Sequence, residues 1–276
     1  MREILARNIA QYRKELGLTQ ELLAEQLGVT FQAVSKWETA QTVPDTTLLP
    51  ALAHALHTGV DRLLGYSAFN EELSCYEDDY RKDGYFWGIE PNSTCLKTIE
   101  LMPPSRPLKL LDIGCGEGKD AVFFARCGYE VSAFDISEAG IEKTKRLAEK
   151  ARVNVRAFRA NLWDYRLTEE YDILYSSGAL HYIKPELREE IMLNYKAHVS
   201  KGGMAAFLVT VEKPFIVTPP GKEKHVNFYW KSGELFTYFH DWYVEHCTEY
   251  VFDCNSGGIP HRHAVNRLLA RKTETL

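Results

Sequence analysis

The feature that most constrains this chain is a glycine-rich turn that follows a short apolar run. The apolar run of residues 108–113 predicts a buried strand. A segment whose apolar residues have helical spacing follows the turn. A strand, a tight turn and a helix in this order bring backbone amides and a helix N-terminus up to a nucleotide-like ligand. Gly114, Gly116 and Gly118 permit positive φ and close backbone approach, but a dinucleotide fingerprint would need a glycine where Lys119 stands.

A carboxylate follows the next predicted strand. Residues 130–134 have the apolar pattern of a strand, and Asp135 stands at its end. At that position a carboxylate can accept hydrogen bonds from both ribose hydroxyls of an adenosine group. The turn and the acid together predict a nucleoside cofactor without a pyrophosphate. A purely structural glycine turn is the alternative.

Other candidate residues follow further predicted strands and would share the same edge of a parallel sheet. Asn161 and Leu162 would meet the adenine edge, while Ser176 and His181 would lie beside the reacting group. Upstream, an aromatic segment with two glycines could fold over a cationic ligand, with interdomain packing as the alternative. The predicted cofactor contacts are Tyr85, Trp87, Asp112, Gly114, Cys115, Gly116, Asp135, Ile136, Asn161, Leu162 and Ser176.

Strand-like runs alternate with helical patterns over most of the 276 residues. This alternation predicts an α/β fold: a Rossmann-like, mainly parallel, seven-stranded sheet over residues 76–276. A small all-α domain over residues 1–66 and a linker over residues 67–75 would precede it. The net charge of −5 disfavours non-specific binding to nucleic acid or membranes, and no apolar run reaches bilayer length. Six cysteines without a C-x-x-C pair indicate reduced thiols in a cytoplasmic protein.

The first 66 residues carry the signals of short helices joined by tight turns. Thr19 and Thr30 are predicted N-caps, and Gly28 is predicted to end the helix between them. The stretch LTQELLAEQLGVTFQAVSKWE resembles the lambda-repressor/Cro-type helix-turn-helix, the XRE family. The resemblance implies that the third helix lies in the major groove of DNA. The DNA-contacting residues that it implies are Gln20, Gln32, Ser35 and Lys36.

The charge of this segment gives DNA binding little electrostatic support. Six Lys and Arg stand against seven Asp and Glu in residues 1–66, whereas cationic side chains supply most baseline affinity for DNA. A helical module that binds protein, or that only dimerises, is therefore an alternative. Because a single domain of this kind reads one half-site, specific binding to an operator predicts a homodimer.

The rest of the chain resembles a broad family and, within it, a narrower one. The glycine turn resembles that of class I S-adenosylmethionine (AdoMet)-dependent methyltransferases. The stretches GYFWGIEPN, YDILYSSGALHYI and GGIPHRHAVNRLLARK resemble the tellurite-resistance methyltransferases of the TehB type. This resemblance implies AdoMet as the cofactor and tellurite or selenite as a small methyl acceptor. Short members of that family lack a DNA-binding domain, so the architecture departs from theirs.

An oxyanion acceptor would need cationic hydrogen-bond donors. A predicted loop between two strands contains three such side chains in a row, and arginine is well suited to oxyanions. His181 could donate a hydrogen bond or accept a proton. The predicted catalytic residues are His181, His261, Arg262 and His263, with strand-end packing or surface exposure as the alternative for the histidines. No metal site is predicted, because no carboxylate or cysteine stands at ligand spacing beside these histidines.

Three functions fit these patterns. The first is an AdoMet-dependent methyltransferase that acts on a small acceptor and carries a DNA-binding domain. The second is a transcriptional regulator whose methyltransferase-like domain senses AdoMet or an oxyanion without turnover. The third, a nucleic-acid methyltransferase, ranks below them, because the fourth strand ends in Ser176-Ser-Gly-Ala and lacks the (D/N/S)-P-P-(Y/F) motif of enzymes that methylate base amino groups.

Overall fold

The computed structural model describes residues 2–64, 75–217, 227–255 and 259–273. The chain divides into two compact units, Met1–Glu72 and Leu73–Leu276. Most of the predicted linker, residues 67–75, lies outside the described residues. Within the described ranges, no helix has both the length and the apolar character needed to cross a bilayer.

The first unit is helical, and its turns follow the local sequence. Thr19 and Thr30 cap the second and third helices by accepting hydrogen bonds from the amides of Leu22 and Ala33. Gly28 ends the second helix in the left-handed conformation, with φ of 64°. The helices are α1 (Arg2–Glu15), α2 (Gln20–Leu27), α3 (Phe31–Glu38), α4 (Leu49–Ala55) and α5 (Val60–Leu63).

A half-buried ion pair joins the first three helices of this unit. The guanidinium of Arg13 in α1 makes two hydrogen bonds to the carboxylate of Glu38 at the end of α3, at 2.5 and 2.9 Å. Gln20, the first residue of α2, donates to the same carboxylate at 2.7 Å. These bonds lower the pKa of Glu38, although burial acts in the opposite direction. Glu38 therefore orients α3 relative to the other two helices.

The second unit is an α/β domain. Two short helices precede its first strand, helices and strands then alternate except between the third and fourth strands, and two long strands come last. The helices are α6 (Glu77–Arg81), α7 (Ser93–Leu101), α8 (Lys119–Arg126), α9 (Glu138–Ala151), α10 (Pro185–Ala197) and α11 (Glu234–Phe239). The strands are β1 (Lys109–Ile113), β2 (Glu130–Asp135), β3 (Val155–Arg159), β4 (Tyr171–Ser177), β5 (Val199–Val211), β6 (Tyr243–Cys254) and β7 (His261–Arg271).

The seven strands form one mixed sheet in the order β3-β2-β1-β4-β5-β7-β6. The first five pair in parallel, whereas β7 pairs antiparallel with both β5 and β6. The predicted seven strands are present, but the description of the sheet as mainly parallel needs correction at this edge. Because β7 runs against β5, its first residues lie at the same edge as the carboxyl ends of the parallel strands.

Neighbouring residues of the central strands point into two separate cores. Leu110 and Ile173 pack in one core, while Leu111 and Leu174 pack in the other. This alternation shows that both faces of the sheet are covered, as expected for strands that read as continuous apolar runs.

The last two strands are longer than the sequence predicted. The pattern placed residues 255–263 in a loop, but β6 continues to Cys254 and β7 begins at His261. Cys254 pairs with His261 and Phe252 pairs with His263 across this extension. Backbone pairing between the strands overrides the weak local strand signal of these residues. Three predicted site residues therefore lie on a strand.

Gly118, the residue before α8, allows a test of why glycine is required at the end of the turn. Gly118 has φ of 82°, and a Cβ at this position would lie 2.5 Å from the Thr144 side chain on α9. Gly178 has φ of 81° and open space around the equivalent Cβ position.

We expect G178A to cost about 1–2 kcal/mol of unfolding free energy, because only the backbone conformation is disfavoured. G118A should cost about 1–3 kcal/mol more, because Thr144 must also move. Calorimetric unfolding of both variants and the parent chain measures the difference. Equal losses in the two variants would show that packing against α9 does not require this glycine.

Candidate active site

The glycine turn is tied to the end of β2. The amides of Gly114 and Cys115 both donate to the carbonyl of Phe134, at 2.8 and 2.9 Å. Gly114 has φ of 71°, and a Cβ there would lie 2.2 Å from the Cβ of Ala179, beyond β4. Both the backbone conformation and this close approach therefore require glycine at position 114.

Asp135 closes the turn from the other side. Its carboxylate accepts hydrogen bonds from the amides of Gly116 at 2.8 Å and Ser137 at 2.9 Å. Burial raises the pKa of Asp135, and these two amides oppose the rise by stabilising the charged form. Each carboxylate oxygen has a second acceptor position. Asp135 can thus hold the turn and still accept a ribose hydroxyl, and Ile136 follows it at the same edge.

Two predicted cofactor contacts are buried beneath the turn. Ser176 is fully buried and donates to the carbonyl of Ile113 at 2.8 Å. Asp112 is 3% exposed; burial raises its pKa well above the usual range, and the Ala121 amide of α8 hydrogen-bonds to it. Their side chains point into the protein, so they join β1 to its neighbours. Both side chains have this structural role, and their predicted contact with the cofactor stays a prediction.

The side chain of Cys115 packs against α9. Its thiol lies 4.0 Å from the Thr144 hydroxyl, and burial raises the pKa of the thiol well above its usual value. The side chain is therefore a neutral thiol at physiological pH. Only the backbone of Cys115 is suited to meet a ligand in this turn.

Asn161 has a buried hydrogen-bond donor without a partner. Its Oδ1 accepts from the amide of Trp163 at 3.0 Å, but among the described residues its Nδ2 meets no acceptor. The residue is 3% exposed, so the missing hydrogen bond is costly unless a ligand supplies it. Leu162, the next residue, packs against the core. The unsatisfied amide fits a ligand that offers ring-nitrogen acceptors, such as adenine.

The aromatic segment upstream covers the glycine turn. Tyr76 and Tyr80 on and beside α6 stack with ring centroids 5.6 Å apart, and Trp87 donates its indole N–H to the Tyr80 hydroxyl at 2.9 Å. That hydroxyl lies against Gly116, 2.9 Å from where a Cβ would be. The structure thus brings Trp87 to the site, but the side chain that lies against the glycine turn is that of Tyr80. Tyr85 is half-buried, with the Lys143 ammonium 5.6 Å from its ring centroid.

A buried ion pair fastens this segment to the rest of the site. Lys143 on α9 donates to the carbonyls of Lys82 and Gly84, at 2.8 and 2.6 Å, and to Glu117 at 2.8 Å. The other carboxylate oxygen of Glu117 accepts from the amide of Trp87 at 3.2 Å. Sequence reasoning missed both residues, because no motif distinguishes them from other charged residues on a helix or turn.

His181 lies at the same edge, in a short 3-10 turn after β4. It is 9% exposed, and its Nδ1 lies 3.4 Å from the hydroxyl of Thr210. Burial, followed by electrostatic interactions with His263 and Arg188, lowers the pKa of His181 to about 3. The ring is therefore neutral at physiological pH. It can donate one hydrogen bond, but it is a poor proton acceptor.

The three predicted residues at the start of β7 do not form one cationic cluster. Along a strand, side chains alternate between the two faces, so Arg262 points away from both neighbouring histidines. The Nε2 atoms of His261 and His263 lie 2.9 Å apart. Arg262 is exposed and shares its face with Ala264. The hydroxyl of Thr210, which lies 3.4 Å from His181, belongs to a residue that pairs with Val265, so His181 lies on the face of His263.

The aromatic stretch after β5 is held by an arginine that the sequence analysis did not identify. Arg188 on α10 is 3% exposed and pairs with Glu234 at 2.7 Å. It also donates to the carbonyls of Phe228 and Tyr229, and its guanidinium lies 4.3 Å from the Trp230 ring centroid. Residues 218–226, which precede this stretch, lie outside the described residues.

In the helical unit, the predicted DNA-contacting residues fall into two groups. Gln32 and Lys36 are exposed on α3, and Ser35 is half-buried between them. Gln20 is occupied by its hydrogen bond to Glu38, so its amide contributes to helix packing.

The Lys143–Glu117 pair leads to a prediction about local stability. Replacing Lys143 by Gln removes a buried ion pair and two hydrogen bonds to the aromatic segment. We expect this change to lower the free energy of local opening by about 1–3 kcal/mol, and so to speed amide hydrogen exchange in residues 76–88 by roughly 5- to 100-fold. The control K145Q is on the same helix, where Lys145 pairs with Glu142 at the exposed surface. Unchanged exchange in K143Q would refute the role of this pair.

Comparison with known proteins agrees with this architecture. A family model described as tellurite resistance protein TehB matches residues 73–257, more than half of the chain, and a helix-turn-helix model matches residues 9–63. A Haemophilus influenzae protein named probable S-adenosyl-L-methionine-dependent methyltransferase TehB is 25% identical over 212 residues, which cover 74% of this chain and 72% of that protein.

Two solved structures show the same fold. The crystal structure of Haemophilus influenzae TehB superposes with a TM-score of 0.59 at 20% identity, over 73% of this chain and 67% of the other. Magnesium protoporphyrin IX methyltransferase of Synechocystis, with bound SAH, superposes with a TM-score of 0.51 at 14% identity. The match covers 66% of this chain and 81% of the other. At these identities the likeness concerns the fold alone, and the family rests on the model match. The chain belongs to the TehB tellurite-resistance family, with a helix-turn-helix domain before the family's methyltransferase fold, as the sequence predicted.

Proposed function

We propose that this protein transfers a methyl group from AdoMet to a small oxyanion acceptor such as tellurite or selenite. The observation that carries the proposal is the buried amide of Asn161, which lacks a partner among the described residues at the edge closed by Asp135 and Gly116. An adenosine group supplies the ring nitrogens and ribose hydroxyls that these residues require. The name of the Haemophilus influenzae relative supports the same cofactor.

The residues of the chain position the reactants. When bound, AdoMet would supply an electrophilic methyl group to the lone pair of the acceptor, and its sulfur would keep the electrons of the bond that breaks. Asp135 would accept hydrogen bonds from the ribose hydroxyls, Asn161 would donate to adenine, and the backbone at Gly114–Gly116 would lie beside the amino-acid part. The aromatic segment with Tyr80 covers the turn and favours a sulfonium cation. Alignment of this kind can lower the barrier by roughly 7–11 kcal/mol.

The acceptor requires hydrogen-bond donors at this edge of the sheet. Arg262 is exposed at the start of β7, and a guanidinium can bind two oxygens of an oxyanion at once. His181 is neutral and adds one hydrogen bond without a charge. We assign the charge of the acceptor to Arg262 and one hydrogen bond to His181 first; the two residues approach the end of β7 from opposite faces, with His263 on the side of His181.

The experiment that tests this function is calorimetric titration with AdoMet, followed by product analysis with selenite or tellurite. We expect one AdoMet per chain and a methylated, volatile product. D135N should weaken AdoMet binding about 10- to 100-fold, because a neutral amide replaces the charged carboxylate that accepts hydrogen bonds from the ribose and the turn. R262A should keep the AdoMet affinity of the parent chain and lower turnover.

The outcomes separate the parts of the proposal. If R262A loses both turnover and AdoMet affinity, Arg262 acts on cofactor binding and not on the acceptor. Unchanged turnover in R262A would remove it from the site. If AdoMet binds and none of several small acceptors is methylated, the domain acts as a sensor. Absence of AdoMet binding would refute the enzyme.

A second candidate function is regulation of transcription by the same chain. The observation that favours it is the exposure of Gln32 and Lys36 on α3, in a unit that matches a helix-turn-helix family. Glutamine can pair with adenine and lysine can reach guanine or a phosphate in the major groove. We propose that two copies in the cytoplasm bind an operator of two half-sites, and that AdoMet occupancy changes the affinity for DNA.

Selection from random duplex DNA, followed by titration at several salt concentrations, tests this second function. We expect Q32A to lose about 1–3 kcal/mol of discrimination at one base pair. If Lys36 contacts a phosphate, K36A should weaken binding to all DNA sequences. It should also reduce the salt dependence of DNA affinity by about one counterion per bound copy. Q26A, an exposed change on α2, is the control. No enrichment of any sequence would refute operator binding, and equal affinity with and without AdoMet would refute the coupling.

A further inference from the structure

Three side chains with metal-ligand chemistry converge where β6 meets β7. Cys254 is the last residue of β6, and His261 and His263 lie at the start of β7. One ligand atom from each, a sulfur and two imidazole nitrogens, lies within 4.8 Å of the other two. Cys254 pairs with His261 across the strands, and His263 follows two residues later on the same face. The sequence analysis missed this cluster, because only strand pairing brings the cysteine to the histidines.

The spacing of these atoms suits a tetrahedral ion. Bonds of about 2.0–2.1 Å to nitrogen and 2.3 Å to sulfur separate tetrahedral ligand atoms by roughly 3.3–3.6 Å. The two Nε2 atoms are 2.9 Å apart, so they need to separate by only a few tenths of an ångström. The ring of His263 also has Phe252 beside it, with centroids 5.6 Å apart.

The orientation of His261 provides a second, independent observation. Its Nδ1 lies 2.7 Å from the carbonyl oxygen of Ile259, an acceptor, so Nδ1 carries the proton and Nε2 presents its lone pair. Metal-binding histidines are oriented in this way: the nitrogen that does not bind the metal donates to a carbonyl or carboxylate. The lone pair of His261 Nε2 points to His263 Nε2, which is where the ion would sit between the rings.

We propose that Cys254, His261 and His263 form a site for a zinc-type divalent ion, with Sγ and both Nε2 atoms as ligands. One sulfur and two nitrogens suit zinc, whereas magnesium and calcium require oxygen ligands. On binding, the thiol releases its proton to solvent and the His263 proton moves to Nδ1, so both imidazoles remain neutral. Three protein ligands leave a fourth position open. Arg262 points to the other face of β7, whereas His181 lies on the side of His263. The site is therefore tested by metal binding, which does not require methyl transfer.

Cobalt binding to the full-length chain, after treatment with a chelator, tests the site without any activity measurement. We expect one Co²⁺ per chain, a thiolate-to-cobalt charge-transfer band, the visible bands of a tetrahedral ion, and loss of these bands when Zn²⁺ is added. C254S should abolish the charge-transfer band, and H263A should lower the affinity at least 100-fold. The matched controls on β6, C247S and H246A, should retain the spectrum and affinity of the parent chain.

A thermal measurement separates loss of the site from loss of the fold. Without metal, C254S and the parent chain should unfold at the same temperature, and Zn²⁺ should raise the unfolding temperature of the parent only. Absence of tetrahedral bands in the parent would overturn the proposal. So would a charge-transfer band that survives in C254S, or one that disappears equally in C247S.

Discussion

The hydrogen bond from the Gly116 amide to the Asp135 carboxylate is the contact on which the rest of the site depends. It joins the turn after β1 to the end of β2, and the paired amides of Gly114 and Cys115 reinforce it from the carbonyl of Phe134. An amide can reach a carboxylate here only because the backbone turns through positive φ without a Cβ. The geometry that closes the turn therefore also presents a charged acceptor at the rim of the sheet.

Buried charge pairs fasten three separate parts of the chain to the scaffold. Lys143 and Glu117 hold the aromatic segment over the turn, Arg188 holds the stretch after β5, and Arg13 with Glu38 orients the helices of the first unit. Removing one partner of such a pair leaves a buried charge, so these contacts favour one arrangement over its alternatives. The covering segments are thus attached by a few polar contacts, which is compatible with ligand entry and release.

The extension of β6 and β7 changes how the chemistry at this edge is distributed. As a loop, residues 261–263 would present two imidazoles and a guanidinium together. As a strand, they place Arg262 on one face and the histidines on the other, with Cys254. The antiparallel direction of β7 places these residues at the carboxyl ends of the parallel strands. One structural element therefore supplies the proposed oxyanion donor on one face and the proposed metal ligands on the other.

Local signals in the sequence by themselves determined much of this protein: the caps at Thr19 and Thr30, the strand, glycine turn and helix, and the seven strands. These features depend on residues that are close in the chain, and the family follows from them. Only the tertiary structure decided that Asp112 and Ser176 point inward, that Lys143 reaches the aromatic segment, and that Cys254 meets His261. The physical reason is strand register and helix packing, which join residues far apart in sequence and choose the direction of each side chain.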